Sequence, residues 1–188
     1  MKNILVPTDF SDNCNKAAKL AIEMAVLCNA EIHFLHQIST VVNWTKLSKT
    51  QEQNYPDTLA EIGIANSNLR ALEIEAEHKG LRSRTFLKFV SGTDATLEHS
   101  HDFHHDFILT GSKGMQNGFL KKLLGNNAQK IIRKANVPIL VVKEDTITFP
   151  FENIVFVSDF KEDISNAFKE VEKIAKKCNA KIHLLNIN

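Results

Sequence analysis

Cysteine is scarce in this 188-residue chain, which contains three, Cys14, Cys28 and Cys178, at wide spacing. An odd and widely spaced set is not a disulfide framework, so we expect a reducing compartment, the cytoplasm. No apolar run approaches the roughly 20 residues that span a bilayer, and residues 1–7 enter a strand pattern without a signal-peptide core. We therefore expect no membrane-embedded segment and no secretion.

An excess of charge of either sign is also missing. The chain carries 23 basic and 22 acidic residues, a formal net charge of +1. Nucleic acids and anionic membrane surfaces attract proteins with a clear basic excess. We therefore expect no nucleic acid and no membrane surface as a partner.

Short apolar runs alternate with helical patterns over residues 1–143. The runs typical of buried parallel strands are residues 3–8, 31–36, 84–90, 106–110 and 137–142. Helical patterns follow at about 11–29, 58–79, two turns from Thr93 or Asp94, and 125–135, while residues 38–50 read as a loop. This alternation predicts an α/β fold, a doubly wound parallel sheet of five strands like the Rossmann fold.

The beginning of the chain recurs 150 positions later. Residues 2–10 (KNILVPTDF) match 152–160 (ENIVFVSDF), and the register holds without a gap to residues 28–35 and 178–185. The repeat predicts a complete domain at 1–143, a linker at 144–151 and an incomplete second domain, a β-α-β unit, at 152–188. Two strands and one helix do not make an independent core. We expect either a chain truncated from a longer tandem protein, which we favour, or docking of the partial repeat on the first domain or on a partner chain.

Ligands of parallel α/β sheets bind beyond the carboxyl ends of strands, where the strand order reverses. Segments 7–9, 36–38 and 110–114 reach that edge, and residues 125–127 precede a helix whose first amides suit a phosphate. Asp9 is placed to accept hydrogen bonds from ribose hydroxyls. The candidate nucleotide-binding residues are Pro7, Thr8, Asp9, Gln37, Thr110, Gly111, Lys113, Gly114, Gly125, Asn126 and Asn127. The alternative is that the glycines serve only turns.

Four of these segments in combination resemble the universal stress protein family. They are residues 6–11 (VPTDFS), 111–114 (GSKG), 125–134 (GNNAQKIIRK) and 137–142 (VPILVV). The resemblance covers 1–143 in full and 152–188 as the start of a second such domain. It implies the strand order 3-2-1-4-5 and pairing through the fifth strand, Val137–Val142, either in a homodimer or in an intramolecular pseudo-dimer.

One branch of that family binds ATP through Gly-x-x-Gly, a nine-residue gap and Gly-Ser/Thr. The resemblance implies that Asp9, Gly111, Gly114 and Gly125 contact ATP or AMP, with Mg²⁺ accompanying ATP. It also implies that residues near Gln37 and Thr110 face the adenine. Lys113 is a further candidate for a triphosphate contact. The implied role is a stress-response regulator that changes conformation or partner with nucleotide occupancy.

The sequence departs from that branch at three points. Ten residues rather than nine separate Gly114 from Gly125, Asn126 replaces the hydroxyl residue, and Gln37 is polar where the adenine pocket is usually apolar. Two alternatives follow: a dimeric scaffold of the same fold that binds no nucleotide, and, less favoured, an adenylate-transferring enzyme. No Ser–His–Asp order or paired carboxylates stand out, so we assign no catalytic residue and expect at most slow hydrolysis.

Histidines are concentrated in residues 99–105, next to Asp102 and Asp106. His101 and His105 could share a helix face and hold zinc or nickel. The alternative is a solvated connection between a helix and the fourth strand. Because the spacing of the four histidines, His99, His101, His104 and His105, matches no recognised ligand set, we predict no metal site.

Overall fold

Strands and helices alternate along the chain as the periodicity predicts. The computed structural model describes residues 1–89, 94–112, 131–143, 149–161 and 163–187. It divides into two units, Met1–Glu144 and Asp145–Asn188. The elements of the first unit are β1 (Asn3–Pro7), α1 (Asp12–Cys28), β2 (Glu31–Ile38), α2 (Lys49–Glu52), α3 (Pro56–His78), β3 (Ser83–Phe89), α4 (Asp94–Asp102), β4 (Phe107–Gly111) and β5 (Ile139–Val142). Those of the second are β6 (Asn153–Ser158), α5 (Ser165–Cys178) and β7 (Lys181–Asn186).

The first unit is built on one parallel sheet in the order β3-β2-β1-β4-β5, which confirms the predicted fold and strand order. The strand order reverses between β1 and β4. There the two strands pair only at Ile4–Phe107 and Leu5–Ile108, whereas β1 and β2 pair over five residues. The ladder between β1 and β4 therefore ends before either strand does, and their carboxyl ends flank the crevice where ligands of such sheets bind.

Short helices interrupt the stretch predicted as a loop. A 3₁₀ turn at Trp44–Lys46 and α2 lie within or next to residues 38–50. Ser48 begins α2 with a capping box, since its side chain accepts from the amide of Gln51 and the Gln51 side chain accepts in return. Local capping thus creates a helix where no apolar period is visible.

Helix α1 packs unusually close to β4 because Gly111 has no side chain. A Cβ at Gly111 would lie 2.5 Å from the carbonyl carbon of Asn13 and 2.6 Å from the amide nitrogen of Cys14. The Asn13 side chain also donates a hydrogen bond to the carbonyl of Ser112, just beyond β4. The first turn of α1 is therefore held against the end of β4.

The core contains three histidines beside its aliphatic residues. His33 on β2, His99 on α4 and His105 between α4 and β4 are 3%, 0% and 4% exposed. Phe86 and Phe103 pack on them, with ring centroids 4.3 and 4.4 Å from that of His99. Burial lowers the pKa of His99 and of His105 to about 4 and lowers that of His33. All three imidazoles are therefore neutral at pH 7.

The second unit repeats the opening turn of the first in detail. The amide of Phe10 donates to the hydroxyl of Thr8 and that of Phe160 to the hydroxyl of Ser158, both at 3.0 Å. The two phenylalanines have φ of 60° and 54°. Strands β6 and β7 pair in parallel from Asn153–Lys181, the counterpart of Asn3–Glu31. The two units differ in side-chain burial: Val155 is 58% exposed, whereas its counterpart Leu5 is fully buried.

Replacing Gly111 by alanine should destabilise the first unit, because the added methyl group meets the backbone of α1, which cannot rotate away. We expect Gly111→Ala to lower the free energy of unfolding by about 2 kcal/mol, the usual scale of overpacking. Gly63→Ala on α3 is the matched control, since nothing lies within 4 Å of its Cβ position, and it should gain roughly 0.5–1 kcal/mol. Urea unfolding followed by circular dichroism measures both, and equal stability of the two variants would contradict the close packing.

Acid should destabilise the protein through the buried histidines. Their pKa in the unfolded chain is about 6.5, above the folded values, so the unfolded state binds more protons as the pH falls. These histidines should leave the free energy of unfolding unchanged above pH 6.5. The free energy of unfolding should then fall as the pH is lowered from 6.5 to about 4. Each pKa unit corresponds to about 1.4 kcal/mol, so the decline amounts to several kcal/mol.

The measurement is urea unfolding of chelator-treated protein across this pH range. A His99→Leu variant should show a shallower decline, and an unchanged slope would contradict the assignment. The His101→Leu control should keep the full decline, because the side chain of His101 is 87% exposed.

Candidate functional site

A network of hydrogen bonds fixes the end of β1. The amide of Thr8 donates to the carbonyl of Leu35 at 2.9 Å. The carbonyl of Thr8 accepts from Nδ1 of His36 at 2.8 Å, and its hydroxyl accepts from the amide of Phe10. The ring of Phe10, whose backbone is left-handed, lies 4.4 Å from that of His36. Pro7 ends the strand opposite Leu35, so this turn is tied to β2 on one side.

Asp9 lies at the tip of this turn and is exposed. Its Oδ1 accepts a hydrogen bond from the amide of Ser11 at 3.1 Å, which orients the carboxylate at the start of α1. The buried thiol of Cys14 is a neighbour: burial raises its pKa, and the Asp9 carboxylate adds to the increase. Cys14 is therefore a protonated thiol beside the carboxylate, and its chemistry is not that of a nucleophile.

The end of β4 is buried and saturated with contacts. Thr110 and Ser112 are buried, the amide of Ser112 donates to the carbonyl of Val142 at 2.7 Å, and Gly111 pairs with Val142 in the sheet. Packing against α1 alone requires a glycine at position 111. Sequence reasoning assigned this glycine to a ligand or to a turn and missed the third explanation, close packing of a helix.

Gln37 contacts α4. Its carboxamide nitrogen donates a hydrogen bond to the hydroxyl of Thr96, which is buried on that helix. The side chain that the resemblance placed toward an adenine is thus partnered within the protein and joins β2 to α4.

The structure brings the ends of β1 and β4 together at the strand reversal, as predicted. Asn13 in the first turn of α1 attaches that helix to the end of β4, and no sequence motif pointed to it. Gln37 lies on the neighbouring strand β2. The remaining candidate residues, Lys113, Gly114, Gly125, Asn126 and Asn127, lie outside the described residues.

The histidine-rich stretch differs from its prediction. Helix α4 ends at Asp102, so His105 does not share a helix face with His101. His99 and His105 are buried, which makes the prediction of a solvated connection wrong for these two. They meet His33, which precedes His99 by 66 positions in the sequence. The local sequence signal for this buried contact is His33 itself, a histidine within the apolar run of β2.

In the described residues, no helix is both long and apolar enough to cross a membrane. The fifth strand, predicted over Val137–Val142, is observed as β5 at the end of the sheet.

Comparison with known proteins identifies relatives of the first unit. The profile of the universal stress protein family matches residues 1–143. Universal stress protein MJ0531 of Methanocaldococcus jannaschii is 28% identical over 143 residues, 76% of this chain and 82% of that protein. Universal stress protein MJ0577 of the same organism is 29% identical over an alignment of 157 residues, which covers 76% of this chain and 94% of the relative.

Solved structures share the fold. That of MJ0577 superposes with a TM-score of 0.62 and covers 78% of this chain and 98% of its own. A universal stress protein in complex with cAMP gives 0.55 at 20% identity, covering 76% and 96% of the two chains. One from Archaeoglobus fulgidus in complex with dAMP gives 0.54 at 18% identity, covering 76% and 98%. With its first 143 residues matched by the family profile and its sheet in the same fold, the chain belongs to the universal stress protein family.

Proposed function

We propose that this protein is a stress-response regulator of the cytoplasm that binds an adenine nucleotide, ATP or AMP, at the carboxyl ends of β1 and β4. The observation that carries the proposal is the position of Asp9. Its carboxylate is oriented by the amide of Ser11 at the mouth of the crevice, where the ladder between β1 and β4 has ended. A carboxylate held in this way is preorganised to accept hydrogen bonds from the two ribose hydroxyls.

The first turn of α1 supports the same location. Asn13 and Gly111 hold it against β4, so the positive end of the helix dipole lies at the strand reversal, where it favours an anion. We propose that Lys113, Gly114, Gly125, Asn126 and Asn127 supply the phosphate contacts, with Mg²⁺ accompanying ATP.

The relatives add support at the level of the fold. Two solved structures with this architecture hold cAMP and dAMP, so the architecture accommodates an adenine nucleotide. Their identity to this chain, 20% and 18%, leaves the contacts to be argued from this protein's own residues. Hydrolysis, if present, is slow in this proposal, because no described residue is placed to orient an attacking water.

A second candidate function is a scaffold that binds no nucleotide. Two observations favour it: packing against α1 explains Gly111 without a ligand, and the carboxamide of Gln37 already has a protein partner in Thr96. Binding of ATP and AMP to the purified protein, measured by calorimetry, separates the two functions, and the scaffold requires that neither nucleotide binds.

Asp9→Asn should weaken nucleotide binding. The asparagine keeps an oxygen for the amide of Ser11 but removes the charge that ribose hydroxyls meet, and hydrogen bonds to charged groups contribute about 1.5–3 kcal/mol. We expect the dissociation constant for ATP to rise roughly 10- to 100-fold, measured by calorimetry.

The chain offers a matched control for this variant. Asp159 repeats the turn in the second unit, accepting from the amide of Lys161 at 3.2 Å. Asp159→Asn should leave the affinity for ATP unchanged. If both variants weaken binding equally, or if Asp9→Asn binds as tightly as the native chain, Asp9 is not part of the site.

We also propose that β5 mediates a homodimer. It is the last strand of the five-stranded sheet, and its apolar residues from Ile139 to Val142 are only partly buried apart from Val142. An apolar edge strand is a site of pairing with another chain. Light scattering at several protein concentrations should give the mass of two chains, and the mass of one chain at every concentration would contradict the proposal.

A further inference from the structure

The three buried histidines offer their ring nitrogens to a common point. His33, His99 and His105 each provide one ring nitrogen within 4.8 Å of those of the others. They come from β2, from α4 and from the connection to β4, so the cluster joins three segments of the first unit. The proposed nucleotide site uses none of them.

Three of the six ring nitrogens in this cluster have no hydrogen-bond partner in the protein. His99 is fully buried, and neither its Nδ1 nor its Nε2 has a hydrogen-bond partner. The Nδ1 of His105 also has none. Buried side-chain nitrogens are almost always paired, and an exception calls for an ion or a water that completes it. A histidine that served only to fill space would be replaced at lower cost by phenylalanine, the residue on two sides of it.

His33 is oriented as a metal ligand is. Its Nε2 lies 3.0 Å from Oε1 of Glu31, and Arg84 holds the same carboxylate oxygen at 2.9 Å. Because a carboxylate only accepts, Nε2 carries the hydrogen and Nδ1 presents its lone pair to the interior. That lone pair faces Nε2 of His105 at 2.9 Å. A carboxylate behind a ligating histidine is the usual outer partner in metal sites, where it fixes the tautomer and raises the basicity of the ligand.

We propose that His33, His99 and His105 form a three-histidine site for a divalent transition-metal ion, which we assign as Zn²⁺. Neutral imidazoles suit zinc, and zinc places no demand on geometry beyond a tetrahedron with nitrogens at about 2.0–2.1 Å. Nitrogens at that distance lie roughly 3.4 Å apart, so His33 and His105 separate slightly on binding. When the ion binds, Nε2 of His105 gives up its hydrogen to solvent and Nδ1 of the same ring takes one up. The lone pair of Nε2 can then ligate the ion.

One member of the cluster, His105, borders an open cleft. The cleft has a volume of about 310 Å³ and is also lined by Ser100, His101, His104 and Lys134. His101 and His104 are imidazoles on the wall of the cleft and can capture an ion before it reaches the buried nitrogens. Three protein ligands leave one tetrahedral position for a water or a small anion.

The proposal departs from the prediction of no metal site. That prediction considered only the spacing within residues 99–105, and the missing ligand, His33, lies on another strand. Its counterpart 150 positions later, His183, is exposed, and its Nε2 lies 3.0 Å from Oδ1 of Asn153. This histidine provides an internal comparison.

The test uses the full chain, stripped with a chelator and titrated with Zn²⁺ alone against a chromogenic competitor. We expect one equivalent to bind, a higher melting temperature, and Co²⁺ in place of Zn²⁺ to show the strong visible bands of tetrahedral coordination. His99→Leu should weaken Zn²⁺ binding roughly 100-fold or more, beyond the 10- to 100-fold expected for Glu31→Gln. His183→Leu and His101→Leu are the controls and should keep the tight equivalent.

Two results would overturn the proposal. One is a folded His99→Leu variant that binds Zn²⁺ as tightly as the native chain; the other is loss of the tight equivalent in His101→Leu alone, which would place the ion on the cleft wall. If His99→Leu does not fold, ¹⁵N spectra of the native histidine rings decide. Zn²⁺ should shift ring nitrogens of His33, His99 and His105, and unchanged signals from these three would refute the site. Nucleotide binding is measured separately, so failure here leaves the proposed function intact.

Discussion

The approach of α1 to the end of β4 determines the geometry of the described part of the candidate site. Gly111 allows the backbone of Asn13 to come within contact distance of the strand, and the Asn13 side chain closes the arrangement on the carbonyl of Ser112. The turn that precedes α1 contains Asp9, so the carboxylate inherits its position from this packing. On its other side, hydrogen bonds from His36 and to Leu35 attach the same turn to β2. These contacts all involve backbone atoms, paired either with other backbone atoms or with the side chains of Asn13 and His36.

The sequence predicted the elements because those depend on local signals, and the family resemblance implied the order of the strands. Apolar runs, turn residues and the family resemblance led to the parallel sheet 3-2-1-4-5, and the position of Asp9 after the first strand followed from the end of its apolar run. The contacts of Gly111 with Asn13, of Gln37 with Thr96, and of His33 with the later histidines were not predictable. Each joins residues that are 59 to 98 positions apart in the sequence, and only the packed fold specifies which side chains meet.

The two copies of the opening motif show which of its features depend on neighbouring residues and which depend on the rest of the fold. The turn hydrogen bonds and the left-handed phenylalanine recur in the second unit, so a few neighbouring residues suffice to form the turn. Burial does not recur: Leu184 is 62% exposed where its counterpart Phe34 is fully buried. Side-chain burial depends on the strands β3, β4 and β5 that the first unit possesses. The same motif therefore provides turn geometry in both units but a core in only one.

Three polar residues of strand β2 contact different parts of the protein. His33 belongs to the buried cluster with α4, Gln37 bonds to Thr96 at the start of that helix, and His36 holds the carbonyl of Thr8. A single strand thus connects the histidines to the turn that carries Asp9. Thermodynamic linkage between two binding sites is reciprocal. If a ligand bound at the histidine cluster changes the affinity for a ligand at the Asp9 turn by some factor, the ligand at the turn changes the affinity at the cluster by the same factor.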